Sequence, residues 1–252
     1  MEPIARRGRI PLHRSVRHVA FKGGRLAAWS LAAIACTVLM LVYHRALLEG
    51  YRGLVEGLLR AAGVPFANGV PARLGFLRIP AWRVESFNPI AHWSGALPYG
   101  AASLVLLFAP RLPRMPLPVG SWLSLVGGLM LLTTLVLYWR PVPVLTPASF
   151  SGLWGQITVG TALLFPWIWA LLVGVLPLPP LRVALWGLLA LAVFLLWNGV
   201  RLAFFLALAR AAGVVWLPPA LILGCTLPDF MVLVIAFGRV LEPAGASWEE
   251  VA

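Results

Sequence analysis

Charge is scarce in this chain of 252 residues: only 11% are Asp, Glu, Lys or Arg, where a water-soluble domain carries about a quarter. A soluble fold is excluded on that ground, and the 61% hydrophobic content and mean hydropathy of +0.90 agree. Aspartate occurs once, at Asp229, and histidine four times. The two cysteines, Cys36 and Cys225, both lie inside apolar runs, so a disulfide framework is excluded. There is no Gly-rich phosphate loop and no HExxH, and His13 and His18 sit in a basic tail where ordinary solvation accounts for them. No cofactor and no metal are expected.

What is present is apolar length and positive charge. Six stretches reach the roughly 20 apolar residues needed to span a bilayer: about 26–43, 90–109, 118–138, 153–176, 183–207 and 217–237. The expectation is an all-α integral membrane protein of about six transmembrane helices within one domain, 26–238. Of the +12 net charge, seven cations (Arg6, Arg7, Arg9, Arg14, Arg17, Lys22 and Arg25) fall in residues 1–25 against the single acid Glu2. A basic chain could suggest nucleic acid, but the apolar runs make lipid the better partner, and no nucleic-acid partner is expected. By the positive-inside rule the N-terminal segment 1–25 and the tail 239–252 are cytoplasmic. Segment 44–89 and the loops 139–152 and 208–216 then face outward. The first apolar run ends at Tyr43-His44-Arg45 without a small-residue cleavage pattern, so it reads as a span and not a signal peptide. The expected location is a bacterial inner membrane.

Two outer segments do not span. Residues 47–62 put Leu47, Leu54 and Leu58 on one helical face and Glu49, Arg52, Glu56 and Arg60 largely on the other. That pattern fits a helix lying on the outer leaflet, or one docking a partner. Residues 63–87 combine turn formers (Gly63, Pro65, Asn68-Gly69, Pro71) with a short alternation and read as an extended cap. Trp82, Trp93, Trp122, Trp139, Trp154 and Trp216 are expected at membrane interfaces.

Ionisable groups within spans are costly in hydrocarbon and are the functional candidates. Asn198 and Arg201, three apart, share a helix face in span five. Arg201 either snorkels outward or is paired inside the bundle. Asp229 follows Pro228 in span six, which suggests a kinked helix with a buried carboxylate. Direct pairing with Arg201 is one option, although Arg201 has the more external position in sequence. Glu85 and His92 complete the acid–base groups on the outer side.

Asn198-Gly199-Val200-Arg201 matches the Asn-x-x-Arg motif of exosortases and archaeosortases, and the chain resembles that family over perhaps half its length. Those proteins are multi-span membrane proteins thought to act as cysteine transpeptidases on the outer face. The segment Ala148-Ser149-Phe150-Ser151-Gly152-Leu153 resembles the family's Cys-Ser-Gly nucleophile segment, with Phe150 where cysteine belongs. An alternative alignment through 54–84 places Phe87 there. Cysteine is missing from both positions, and no histidine follows His92. Without a thiolate and its activating base the cysteine chemistry is lost. The resemblance therefore implies a non-catalytic relative, an accessory that binds an exosortase partner or a substrate tail. A subunit of another membrane complex is the alternative, and a small transporter using Asp229 and Arg201 is a third reading.

Overall fold

The computed structural model describes residues 23–90, 93–111, 115–140, 145–174, 178–224 and 227–249. Helix dominates, at 80% of the structure. In chain order the helices are α1 (Gly23–Val42), α2 (His44–Ala61), α3 (Trp93–Leu107), α4 (Leu117–Trp139), α5 (Pro147–Gly174), α6 (Pro180–Ala212), α7 (Leu217–Gly224) and α8 (Leu227–Glu249). Four of them, α1, α4, α5 and α6, are long and apolar enough to cross a membrane, while the apolar parts of α3 and α8 are shorter, at 94–107 and 231–241. The chain is an all-α membrane protein, as expected from its composition.

Helix α2 holds its polar residues on one side and buries Val55 and Leu59 on the other. Its end is a Schellman turn: Gly63 is left-handed (φ +65°), its N–H donates to Arg60 O, and the Val64 N–H donates to Leu59 O. A Cβ is unfavourable in that conformation, which accounts for glycine there. The chain then enters a cap of four three-residue strands, β1 (Phe66–Asn68), β2 (Ala72–Leu74), β3 (Leu77–Ile79) and β4 (Trp82–Val84). β2 pairs with β3 across the turn at Gly75 (φ +58°), and β1 pairs with β4 outside them, so the cap is one antiparallel ribbon.

The ribbon is seated on the first turns of α5. A Cβ on Gly155 would lie 2.5 Å from Ile79 Cγ2, and one on Gly152 3.1 Å from Ala72 Cβ, so the close approach requires glycine. Ser151 Oγ accepts from the Trp82 N–H at 2.9 Å, and Gln156 Nε2 donates to Arg73 O at 2.8 Å. Beneath the cap lies the larger core, with Leu59, Trp82, Phe150, Trp154, Leu202, Leu206 and Leu217 all closed to solvent. A second core at the other end gathers Phe165, Trp169, Val173, Val183 and Val240. There Gly187 admits the Trp169 indole, whose Nε1 would stand 2.6 Å from a Cβ.

Several boundaries differ from expectation. Parts of the loops 139–152 and 208–216 are helical: α5 begins at Pro147 and α6 runs to Ala212. Thr146 and Ser149 form a reciprocal cap, Ser149 N–H to Thr146 Oγ1 at 3.2 Å and Thr146 N–H to Ser149 Oγ at 2.9 Å, with Pro147 at the first helical position. That arrangement starts a helix early. Of the sixth apolar stretch, the described residues form α7 and α8, on either side of 225–226. The segment from 239, expected as a tail, continues α8 to Glu249. Trp82 and Trp154 lie in the core beneath the cap and not at an interface.

Candidate functional site

Asn198 and Arg201 sit in the second half of α6, flanked by small or apolar residues that sustain the helix through a buried position. Both side chains turn inward: Asn198 is 1% exposed and Arg201 7%. Snorkelling is therefore not the solution adopted. The Arg201 guanidinium reaches the sixth apolar stretch, bonding the Gly224 carbonyl of α7 and forming an ion pair with Asp229 of α8. Asn198 Nδ2 donates to the same Asp229 carboxylate oxygen at 3.1 Å and to Phe194 O at 3.0 Å. Thr158 Oγ1 of α5 donates to Asn198 Oδ1 at 3.4 Å.

The electrostatics of this cluster follow from Pro228. The Gly224 carbonyl is the acceptor that an N–H four residues on would fill in a helix, and Pro228 has none, so it is open to a donor from α6. The Asp229 carboxylate supplies the countercharge. Arg201 thus meets an open carbonyl and a carboxylate together. Trp154 and Trp197 flank it, with ring centroids 5.5 and 5.8 Å from the guanidinium carbon. An arginine between aromatic faces gains a cation–π contribution when desolvated.

The segment 149–152 is reached from this cluster through Trp154. The Phe150 ring packs 5.5 Å from Trp154 and 6.4 Å from Phe205 and is closed to solvent. All four residues are structurally engaged. Ser149 caps α5, Phe150 fills the core, Ser151 holds the Trp82 backbone and Gly152 admits Ala72. This segment and the Arg201 cluster thus meet by packing through Trp154.

Glu85 belongs elsewhere. It is exposed and lines a cleft of about 690 Å³ with Phe66, Arg83, Phe87, Thr146 and Ala148, and the lining does not include Asn198 or Arg201. The candidate residues therefore fall in two places, a filled cluster within the bundle and an open cleft beside the cap. His92 and Cys225 lie outside the described residues. Among the described residues no group of three His, Cys, Asp or Glu could hold a metal. Two participants are not singled out by the sequence reading. Thr158 is one apolar-helix threonine among several, and the Gly224 carbonyl is left open by Pro228 four residues on, which has no N–H to donate.

The chain matches no known protein family, no curated protein and no solved structure.

Proposed function

We propose that this protein is a non-catalytic, exosortase-like component of a bacterial inner membrane that binds a partner protein, an exosortase or its substrate tail, at the face carrying the cap. In this reading six segments cross the membrane: α1, α3, α4, α5, α6 and the stretch holding α7 and α8. The basic N-terminus lies inside, and α2 and the ribbon lie at the outer face. One observation carries the reading. The Asn-x-x-Arg pair points into the bundle beside the aromatic side chain, Phe150, that stands at the resembling nucleophile position, with Trp154 in contact with both. A frame of that kind, with its arginine taken up by Asp229 and Gly224 inside the chain, acts as a strut for the cap and leaves the cleft at Glu85 and Phe87 for binding. The interior pairing of Arg201 also weighs against a transporter, which needs its intramembrane charges available to a substrate.

A photo-crosslinking residue at Phe87 or Ala148, both in the cleft, should give an adduct in the native membrane with a multi-span protein bearing the family's cysteine, or with its substrate tail. The same residue at Leu181, exposed at the start of α6, should not. Adducts only with stoichiometric subunits of an unrelated complex would instead favour the assembly-subunit reading. Equal labelling from all three positions would remove the cleft as the binding face.

A further inference from the structure

The region between α2 and the α5–α6 face carries a second feature. An apolar groove of about 340 Å³ runs there, walled by Leu47 and Leu54 of α2, Ile79 of β3, Val159 and Leu163 of α5 and Leu196 of α6. Its size falls at the lower end of the roughly 300–1,000 Å³ typical of ligand pockets. His44 and Leu48 line both this groove and an adjoining cleft of about 580 Å³, so the two spaces meet. The cleft is polar, bordered by Arg45, Glu49, Phe76 and Arg78. Among the described residues neither Arg45 nor Arg78 forms an ion pair, and two guanidinium groups face one carboxylate. Phe76 is 71% exposed beside them on the ribbon turn.

We propose that this combined space is a binding site for an anionic phospholipid, with an acyl chain in the groove and the phosphate between Arg45 and Arg78. Three observations favour a lipid over a peptide. The spanning helix α1, whose final turn lines the groove with Met40 and Leu41, is almost bare, with only 6% of its apolar window buried, so a bilayer lipid reaches the site sideways. The change from apolar groove to cationic cleft falls at the α1–α2 junction, where the chain passes from a spanning helix to an amphipathic one. That is the headgroup level, where basic residues attract anionic lipid and an exposed aromatic ring is at home. The arginine fork is also suited to phosphate oxygens, which it can bond in pairs. The site is separate from the Glu85 cleft and does not depend on the partner reading.

The test uses the full chain in detergent and measures, by native mass spectrometry, retention of phosphatidylglycerol against phosphatidylcholine of the same acyl composition. The expected preference for phosphatidylglycerol is about tenfold. Arg45→Ala with Arg78→Ala should bring the ratio close to one while leaving the lipid-free melting temperature unchanged, since both side chains are exposed. Gly50→Phe should lower retention of both lipids, because a Cβ at Gly50 meets nothing within 4 Å and a larger side chain there fills the groove. Should that variant not fold, the arginine pair alone decides. Equal retention of the two lipids, a preference that survives the double substitution, or inorganic phosphate raising the melting temperature as much as the lipid would each overturn the proposal. So would displacement of the lipid by an apolar peptide at lower concentration than by phosphatidylglycerol.

Discussion

Arg201 and the pair Arg45–Arg78 occupy opposite settings on one chain. Arg201 is buried within the bundle, between two indoles, and its terminal nitrogens are taken up by Asp229 and Gly224. Arg45 on α2 and Arg78 on the ribbon are exposed at one open cleft, with no carboxylate bound to either among the described residues. The difference teaches where to look for function in such a protein. A charge in hydrocarbon is costly unless it is paired, so an intramembrane arginine held by a carboxylate is first a piece of architecture. An unpaired arginine beside an apolar groove is free to meet something else.

The sharpest way to break this contrast is to remove the partner of the buried charge. Asp229→Ala leaves Arg201 uncompensated and should cost about 3–5 kcal/mol. The measurement is unfolding of the purified protein in mixed micelles, and a loss below about 1 kcal/mol would mean the guanidinium has another route to solvent. Replacing both partners by apolar residues of similar size, Arg201→Met with Asp229→Leu, should recover most of the loss, because no unpaired charge is then left inside. A recovery that nevertheless abolished partner crosslinking at Phe87 would show that the cluster sets the shape of the cap face and not only its stability.

Next in size is the seat of the cap. Gly155→Leu drives a side chain into Ile79, to which even a Cβ would come within 2.5 Å. Overpacking of this kind costs about 1–3 kcal/mol. If Arg201 and the cap are joined through Trp154, the variant should also loosen the ribbon, read as faster amide exchange at Trp82 and Val84. Unchanged exchange there would show that the ribbon is held independently of α5.

Much of this architecture is legible in the sequence, and one kind of feature is not. Six apolar stretches, the amphipathic face of α2 and the extended cap can be read because each has a period or a turn chemistry of its own. The inward placement of Asn198 with Arg201 is legible from their spacing of three, and Asp229 from its isolation in an apolar stretch. The partnership between them is not, because position in the sequence alone gives Arg201 the more external place. The overlooked cue is Pro228, which leaves the Gly224 carbonyl without its i+4 donor next to Asp229, and Arg201 bonds both. The start of α5 is legible in the same way, since Thr146-Pro147-Ala148-Ser149 is a helix-start signature. The segment 148–153 then supplies a helix cap and a core phenylalanine.

That cap supplies a smaller prediction: Ser149→Ala removes one half of the reciprocal pair with Thr146 and should cost about 1 kcal/mol, read as a shift in the unfolding midpoint. The smallest expected effect sharpens the comparison from the exposed side. Glu56 accepts from Arg52 at 2.6 Å and from Arg60 at 3.1 Å, two pairs one helical turn away on α2, with the arginines 46% and 69% exposed. Glu56→Gln should therefore cost at most about 0.5 kcal/mol per pair, since water already solvates both guanidinium groups. It also releases two cations onto the helix that walls the lipid groove. If unpaired arginine on this face is what holds anionic lipid, phosphatidylglycerol retention should rise slightly in this variant even as the melting temperature falls slightly. The two readouts moving in opposite directions would separate a charge that binds from a charge that only braces. Both falling together would make Glu56 part of the architecture that Asp229 represents within the bundle.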